Sequence, residues 1–303
     1  MKQRVSIVIP IIAPSVKGDE LQSLRQCLNT LGKRDIYYLC SNELDTTFYE
    51  HMNNEAGVPF RKRTFSGEWF NGVNAYNRLC FSSMLYEAFA EYEYMLIYQL
   101  DAYVFEDRLD EWCQRGYDYV GGPWLCHWSR EVENLDHWEV GNGGFSLRKV
   151  DTFLRVLTTP RLLRKPLKGT GRLAKENRKR LNSNPLLIVW MVFRALTGYH
   201  NTLNYLISRN CQEDKAFAQC KYNRLMRIPT AKEALGFSFD MRPATCYKMN
   251  GNRLPMGCHM WFKYDNETFW YPQIYPNQTA DIQPSESTLF FPSSSSLNPR
   301  KTT

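Results

Sequence analysis

The 303-residue chain has no C-x-x-C pair, and its nine cysteines are scattered and odd in number. Zinc-finger spacing and a fully paired disulfide framework are thereby excluded, and reduced thiols in a cytoplasmic protein are expected. Long apolar runs are absent too. Residues 186–193, the longest run beyond the first strand, fall far short of the roughly 20 residues that span a bilayer. No secretory leader is read at the start, because the run 5–9 is short and Pro10 breaks it. No internal repeat is present, which excludes a solenoid. What is plentiful is core material. At 43% hydrophobic and 14% aromatic residues, the composition excludes a wholly disordered chain.

The formal net charge is +7, and its placement decides its meaning. Residues 161–180 carry nine basic side chains against one acid, Glu176. That segment holds +8 and leaves the rest of the chain at −1. The chain is therefore near neutral with one basic segment, followed by the short apolar run at 186–193. Lys and Arg beside a short apolar element containing Trp190 have the composition of a peripheral contact with an anionic membrane, through residues 161–194. A solvated basic helix beside an ordinary core helix is the competing reading. Nucleic-acid binding is not expected, since aromatics do not interleave with these charges and no nucleic-acid motif occurs. Asn266-Glu267-Thr268 and Asn277-Gln278-Thr279 match the glycosylation pattern, which a cytoplasmic chain does not use.

Periodicity predicts strands at 5–12, 36–40 and 94–101, with helices at 21–31 and 76–92. A short helix is expected at 107–114, a strand ending in a tight turn at 118–124, and helices from 150 and at 213–219. This βαβ rhythm predicts an α/β fold with a mostly parallel sheet flanked by helices. Residues 281–303, rich in Ser and Pro, are expected to be a disordered tail.

Several residues could carry chemistry. Asp101 closes an apolar strand, where ligands of open α/β sheets gather, and its carboxylate suits Mg²⁺ or Mn²⁺. Its alternative role is to cap the next turn. Gly141-Asn142-Gly143-Gly144 permits close backbone approach to a ligand, or simply a tight turn. Glu213-Asp214 could supply a general base, or only complement a helix dipole. His259 could be a metal ligand or a packed histidine among aromatics.

The order of these signals is more specific than any one of them. Gln99-Leu100-Asp101-Ala102-Tyr103-Val104-Phe105, then Gly141-Asn142-Gly143-Gly144-Phe145-Ser146-Leu147-Arg148, Glu213-Asp214 and Gly257-Cys258-His259 follow one another. The series resembles a bacterial and fungal family of unknown function whose members look like GT-A-type nucleotide-sugar glycosyltransferases. The resemblance runs over roughly residues 5–270, apart from the basic insertion.

What it implies is one GT-A-like, Rossmann-type α/β domain over residues 1–280, with a helical insertion at about 160–210. It implies a glycosyltransferase that moves a sugar from a nucleotide-sugar donor to a hydroxyl of a glycan or lipid-linked acceptor, in bacterial surface polysaccharide or lipopolysaccharide assembly at the cytoplasmic face of the membrane. Mn²⁺ or Mg²⁺ would be held by Asp101 and His259. Asp214 would be the base of an inverting reaction, with Glu213 beside it. Pro10, Ile11, Tyr76, Asn77, Gln99, Asn142, Gly143 and Gly144 would line the donor and acceptor. One departure stands out. Tyr103 occupies the second acidic position of a D-x-D motif, or Gln99 the first when the motif is read backwards. An inactive carbohydrate-binding relative and a sugar nucleotidyltransferase are the alternatives.

Overall fold

The computed structural model describes residues 3–125, 135, 138–158, 189, 212–218, 220, 224–263 and 266–276. The expectations for the basic segment, for the apolar run apart from Val189, and for the tail lie outside the described residues.

The expected βαβ start is present. Strand β1 (Gln3–Pro10) leads to helix α1 (Gly18–Leu31) and strand β2 (Asp35–Ser41). Leu24, Cys27, Leu28 and Leu31 recur at helical spacing and give α1 one buried face. Helix α2 (Thr47–Glu55) and strand β3 (Lys62–Phe65) follow, neither of them foreseen. β3 is a polar edge strand with no fully buried residue, so its pattern carries little apolar signal.

The single helix expected over 76–92 is two helices, α3 (Val73–Cys80) and α4 (Ser83–Glu87). Ser82 breaks it. Its hydroxyl accepts the Met84 N–H at 3.2 Å and starts a new helix, as a serine N-cap does. Strand β4 (Tyr92–Tyr98) then crosses the middle of the sheet, followed by β5 (Tyr103–Val104), α5 (Leu109–Gln114) and β6 (Tyr119–Val120). After the glycine-rich string come β7 (Phe145–Lys149) and α6 (Val150–Thr158).

These strands form a six-stranded sheet in the order β3-β2-β1-β4-β7-β6. The first four are parallel, and β7 runs antiparallel to both neighbours. The mostly parallel α/β architecture is therefore as expected. Both faces of the sheet are covered. Tyr94, Leu96 and Tyr98 of β4 pack with α1, while Met95 and Ile97 pack with α3, α4 and α6. Two-sided burial explains why these strands read as nearly continuous apolar runs.

The rest of the described chain adds α7 (Glu213–Ala218), α8 (Ala231–Ala234), β8 (Ser238–Phe239), α9 (Pro243–Met249), β9 (Gly257–Cys258) and α10 (Glu267–Ile274). β5, β9 and β8 make a small second sheet over a separate aromatic core that includes Tyr103, Trp261 and Trp270. This sheet carries residues 240 and 259 to the carboxyl end of β4.

Candidate functional site

Three chain segments meet beyond β4. The Gln99 N–H donates to the Gly144 carbonyl at 2.8 Å, which ties the strand end to the glycine-rich loop. The Trp261 N–H donates to the Asp101 carbonyl at 3.3 Å, which ties it to the segment after β9. Within that loop Asn142 acts as a local clamp. Its Oδ1 accepts the N–H groups of Gly144 and Phe145 at 2.7 and 3.2 Å. Its backbone N–H and carbonyl both engage the buried Tyr119 hydroxyl at 3.1 Å.

Asp101, His259 and Gln99, three of the residues singled out in the sequence, converge. Asp101 Oδ1 lies 3.1 Å from His259 Nε2, and Gln99 Oε1 lies 3.4 Å from the same nitrogen. The contact with Asp101 is one of charge, because the buried Oδ1 accepts no aligned hydrogen bond. Two residues with no assigned role complete the cluster. Asp240 Oδ1 lies 3.1 Å from His259 Nδ1, and the Lys263 ammonium donates to Asp101 Oδ2. Burial opposes charge on both central groups, yet the pairing wins. The cations of His259 and Lys263 hold the Asp101 carboxyl well below its usual range. Burial pulls the His259 imidazolium down, and Asp101 with Asp240 pushes it up to about 9.

Among the described residues no three His, Cys, Asp or Glu side chains are arranged to hold a metal ion. The donor set at this point is one carboxylate, one imidazole and the amide oxygen of Gln99. Neighbouring ligand atoms in the octahedral shell of a hard divalent cation, at about 2.1 Å from the ion, stand about 3 Å apart. The separations of 3.1 and 3.4 Å around His259 Nε2 suit such an ion once Nε2 gives up its proton, and Asp101 Oδ1 accepts no aligned hydrogen bond. Gln99 thus offers the oxygen where a second acid was missed in the sequence.

The glycine pair separates this cluster from the two acids of α7. A Cβ on Gly144 would fall 2.0 Å from His259 Nε2 and 2.7 Å from Gln99 Oε1. One on Gly143 would fall 2.6 Å from Glu213 Oε1. Only glycine permits both approaches. The two acids differ sharply. Glu213 is buried and ion-paired at 2.8 Å with the fully buried Arg148, which also donates to Tyr86 Oη, Ser146 Oγ and the Gly143 carbonyl. Asp214 is partly exposed, with Oδ2 accepting the Gly143 N–H at 3.3 Å and Oδ1 the Lys215 N–H at 2.6 Å. Burial raises the Asp214 carboxyl above its ordinary value, opposed by the Lys215 backbone bond, and Asp240 adds to the rise. Asn77 joins this side, since its Oδ1 accepts the Glu213 N–H at 3.5 Å. Tyr76 is buried, with its hydroxyl pushed far up by burial and influenced by Arg148 and Glu213.

Pro10 and Ile11 are placed differently. Both are buried at the end of β1, and the Ile11 side chain belongs to the core with Leu24 and Leu28. The side chain that faces solvent there is Ile12, 38% exposed. Asp240 did carry a signal in the sequence, since it closes the short strand β8 just as Asp101 follows β4. Lys263, in a loop among aromatics, carried none.

Comparison with known proteins gives remote likenesses. Core-mannan synthase A (CmsA/Ktr4) from Aspergillus fumigatus, in its Mn/GDP form, matches with a TM-score of 0.35 and 9% identity, over 50% of this chain and 61% of that one. TarS 1-349 from S. aureus, in complex with UDP-GlcNAc, matches with a TM-score of 0.33 and 13% identity, over 51% and 47%. The apo-form glycosyltransferase GlyE from Streptococcus pneumoniae TIGR4 matches with a TM-score of 0.44 and 11% identity, over 88% and 59%. The chain thus spans less than two thirds of the length of these three structures. No curated protein matches. The family described as "Protein of unknown function (DUF5672)" matches residues 59–259, more than half of the sequence and all of the glycine-rich, acidic and histidine motifs, and the chain belongs to that family.

Proposed function

We propose that the chain is a nucleotide-sugar-dependent glycosyltransferase that acts on a hydroxyl of a glycan or lipid-linked acceptor. The observation that carries this reading is the convergence of Asp101, His259 and Gln99 on one side of Gly143-Gly144, with Asp214 on the other. Asp101, His259 and Gln99 would hold Mn²⁺ or Mg²⁺, which when bound neutralises charge on a diphosphate leaving group. Lys263 adds an ammonium group at the same place, paired with Asp101. Gly143 and Gly144 let the backbone pass between the two halves of the site, in contact with His259 on one side and Glu213 on the other. Asp214, raised by burial, accepts the proton of the acceptor hydroxyl, and an opposite-face attack inverts the anomeric centre. Glu213, neutralised by Arg148, is a positioning residue that fixes the Gly143 loop rather than a second base.

No helix among the described residues is long and apolar enough to cross a membrane. The composition of residues 161–194 supports a peripheral contact with an anionic surface, where a lipid-linked acceptor of surface polysaccharide assembly at the cytoplasmic face of the membrane would be met.

The test is sugar-nucleotide hydrolysis and transfer over a panel of donors, with and without Mn²⁺. Turnover of one donor is expected, abolished by Asp101→Ala. Asp214→Asn should lower kcat about 10²–10⁴-fold with little change in donor affinity. In the wild type the rate should fall toward acid pH, with its inflection above the ordinary aspartate value, because a base must be ionised to act. No turnover and no binding of any donor would overturn the reading.

A further inference from the structure

We infer that Asp240 is the positioning residue of the candidate metal site, holding His259 through Nδ1 so that Nε2 faces Asp101 and Gln99. The inference rests on the metal reading above and deepens it. Asp240 is buried, and its Oδ1 lies 3.1 Å from His259 Nδ1. The two ring nitrogens look in different directions. One can face a ligand only if the ring is held through the other, and the partner's identity decides which nitrogen carries the proton.

Two groups compete for Nδ1. Asn142 Nδ2 is 2.9 Å away and Asp240 Oδ1 is 3.1 Å away. The amide nitrogen is a neutral donor, whereas the carboxylate accepts a charge-assisted bond of roughly twice the strength. Asn142 has already spent its Oδ1 on the N–H groups of Gly144 and Phe145, so its amide cannot turn to accept instead. Asn142 thus offers Nδ1 only a donor, so a proton on Nδ1 is accepted by Asp240, and a cation that displaces the proton on Nε2 takes the lone pair there.

The backbone makes the contact rigid. β8 and β9 are parallel, with Phe239 opposite Cys258, so Asp240 and His259 leave the ladder side by side. The His259 N–H donates to the Phe239 carbonyl at 2.9 Å. Asn266 Nδ2 then bridges the carbonyls of Asp240 and Met260 at 3.1 and 3.0 Å. Carboxylate and imidazole are thus fixed from both sides. A plain counter-charge for His259 would need no such clamp.

Mn²⁺ titration followed by electron paramagnetic resonance reads affinity directly, without turnover. Asp240→Asn should weaken Mn²⁺ binding about 10–100-fold, and the rise in Tm that Mn²⁺ gives should shrink with it. Asp240→Glu separates positioning from charge. It keeps the charge and moves it by one methylene, so positioning predicts a loss of at least about tenfold. If Asp240→Asn does not fold, Asp240→Glu carries the test. An affinity within twofold of wild type in Asp240→Glu would overturn the inference, provided Asp101→Ala abolishes binding. If Asp101→Ala also binds Mn²⁺ normally, the metal reading itself fails. In Mg²⁺-loaded protein, ¹⁵N spectra of His259 should show the proton on Nδ1. A proton on Nε2 would overturn the assignment as well.

Discussion

Glu20 shows what the site costs the fold. It stands in the first turn of α1, where a negative charge suits the helix dipole, yet it is buried. Burial and the neighbouring Asp101 push its carboxyl up to about 7, with Lys263 pulling the other way. The unfolded chain ionises this group near 4.5, so ionisation favours unfolding. Its contribution to stability is full below pH 4.5 and is lost as pH rises to 7. Glu20→Gln cannot ionise. Its Tm should equal that of the wild type near pH 4 and exceed it above pH 7, which thermal melts across that range will measure. A difference that does not change with pH would refute the argument. Legibility at this scale followed position. Asp101 was singled out because it closes an apolar stretch, and His259 by its place in the series of motifs. Asp240 ends an apolar stretch too, but two-residue strands barely register as pattern. Lys263 and Glu20 reach the site only through folding, from a loop and a helix start that look ordinary in sequence.

At the scale of elements, β7 is the piece whose chemistry was hidden. The string Phe145-Ser146-Leu147-Arg148 reads as alternating, with the polar pair facing one way. Ser146 and Arg148 do share a face, but it is a buried one, roofed by α4 and α7 and closed by Tyr86 and Glu213. An arginine that is fully buried must be paired, and the partner is about 65 residues away in sequence, across the insertion. No local pattern announces it. Burial pushes the Glu213 carboxyl up, and Arg148 pulls against it. Removing one partner leaves the other stranded. Arg148→Met should therefore cost about 3–5 kcal/mol in urea unfolding. Adding Glu213→Leu should recover most of that loss, because a well-packed apolar pair replaces a buried ion pair at little cost. The double variant should still lose transfer, since the Gly143 carbonyl has lost its anchor. A single-variant loss under about 1 kcal/mol would mean that the pair is not desolvated as described. The division of residues 73–87 into α3 and α4 was missed for a related reason. Apolar spacing continues across Ser82, while the cap that interrupts it is a matter of one hydroxyl.

For the molecule as a whole, the parallel core was legible because its strands are apolar on both faces. The second sheet was not, since β5, β8 and β9 span two residues each. Its place in the molecule is what gives the site its form. The large sheet contributes Gln99, Asp101 and the glycine-rich loop. The small sheet contributes Asp240 and His259, and the segment beyond it Lys263. A ligand that takes oxygen from Asp101 and nitrogen from His259 must therefore bridge the segments that follow the two sheets. This predicts where binding will be felt. Hydrogen–deuterium exchange with Mn²⁺ and a nucleoside diphosphate should slow together at residues 99–103, 142–146 and 257–263, the last two with the largest change because they are loop and short strand. Residues 62–65, on the far edge strand β3, should be unaffected. At 100 times the dissociation constant the ligand should add about 2.7 kcal/mol to global stability. Protection confined to the large sheet would mean that His259 is not a ligand, and the two halves of the site would have to be separated. Joint protection that disappears in Asp101→Ala would place the junction of the two sheets at the centre of the chemistry.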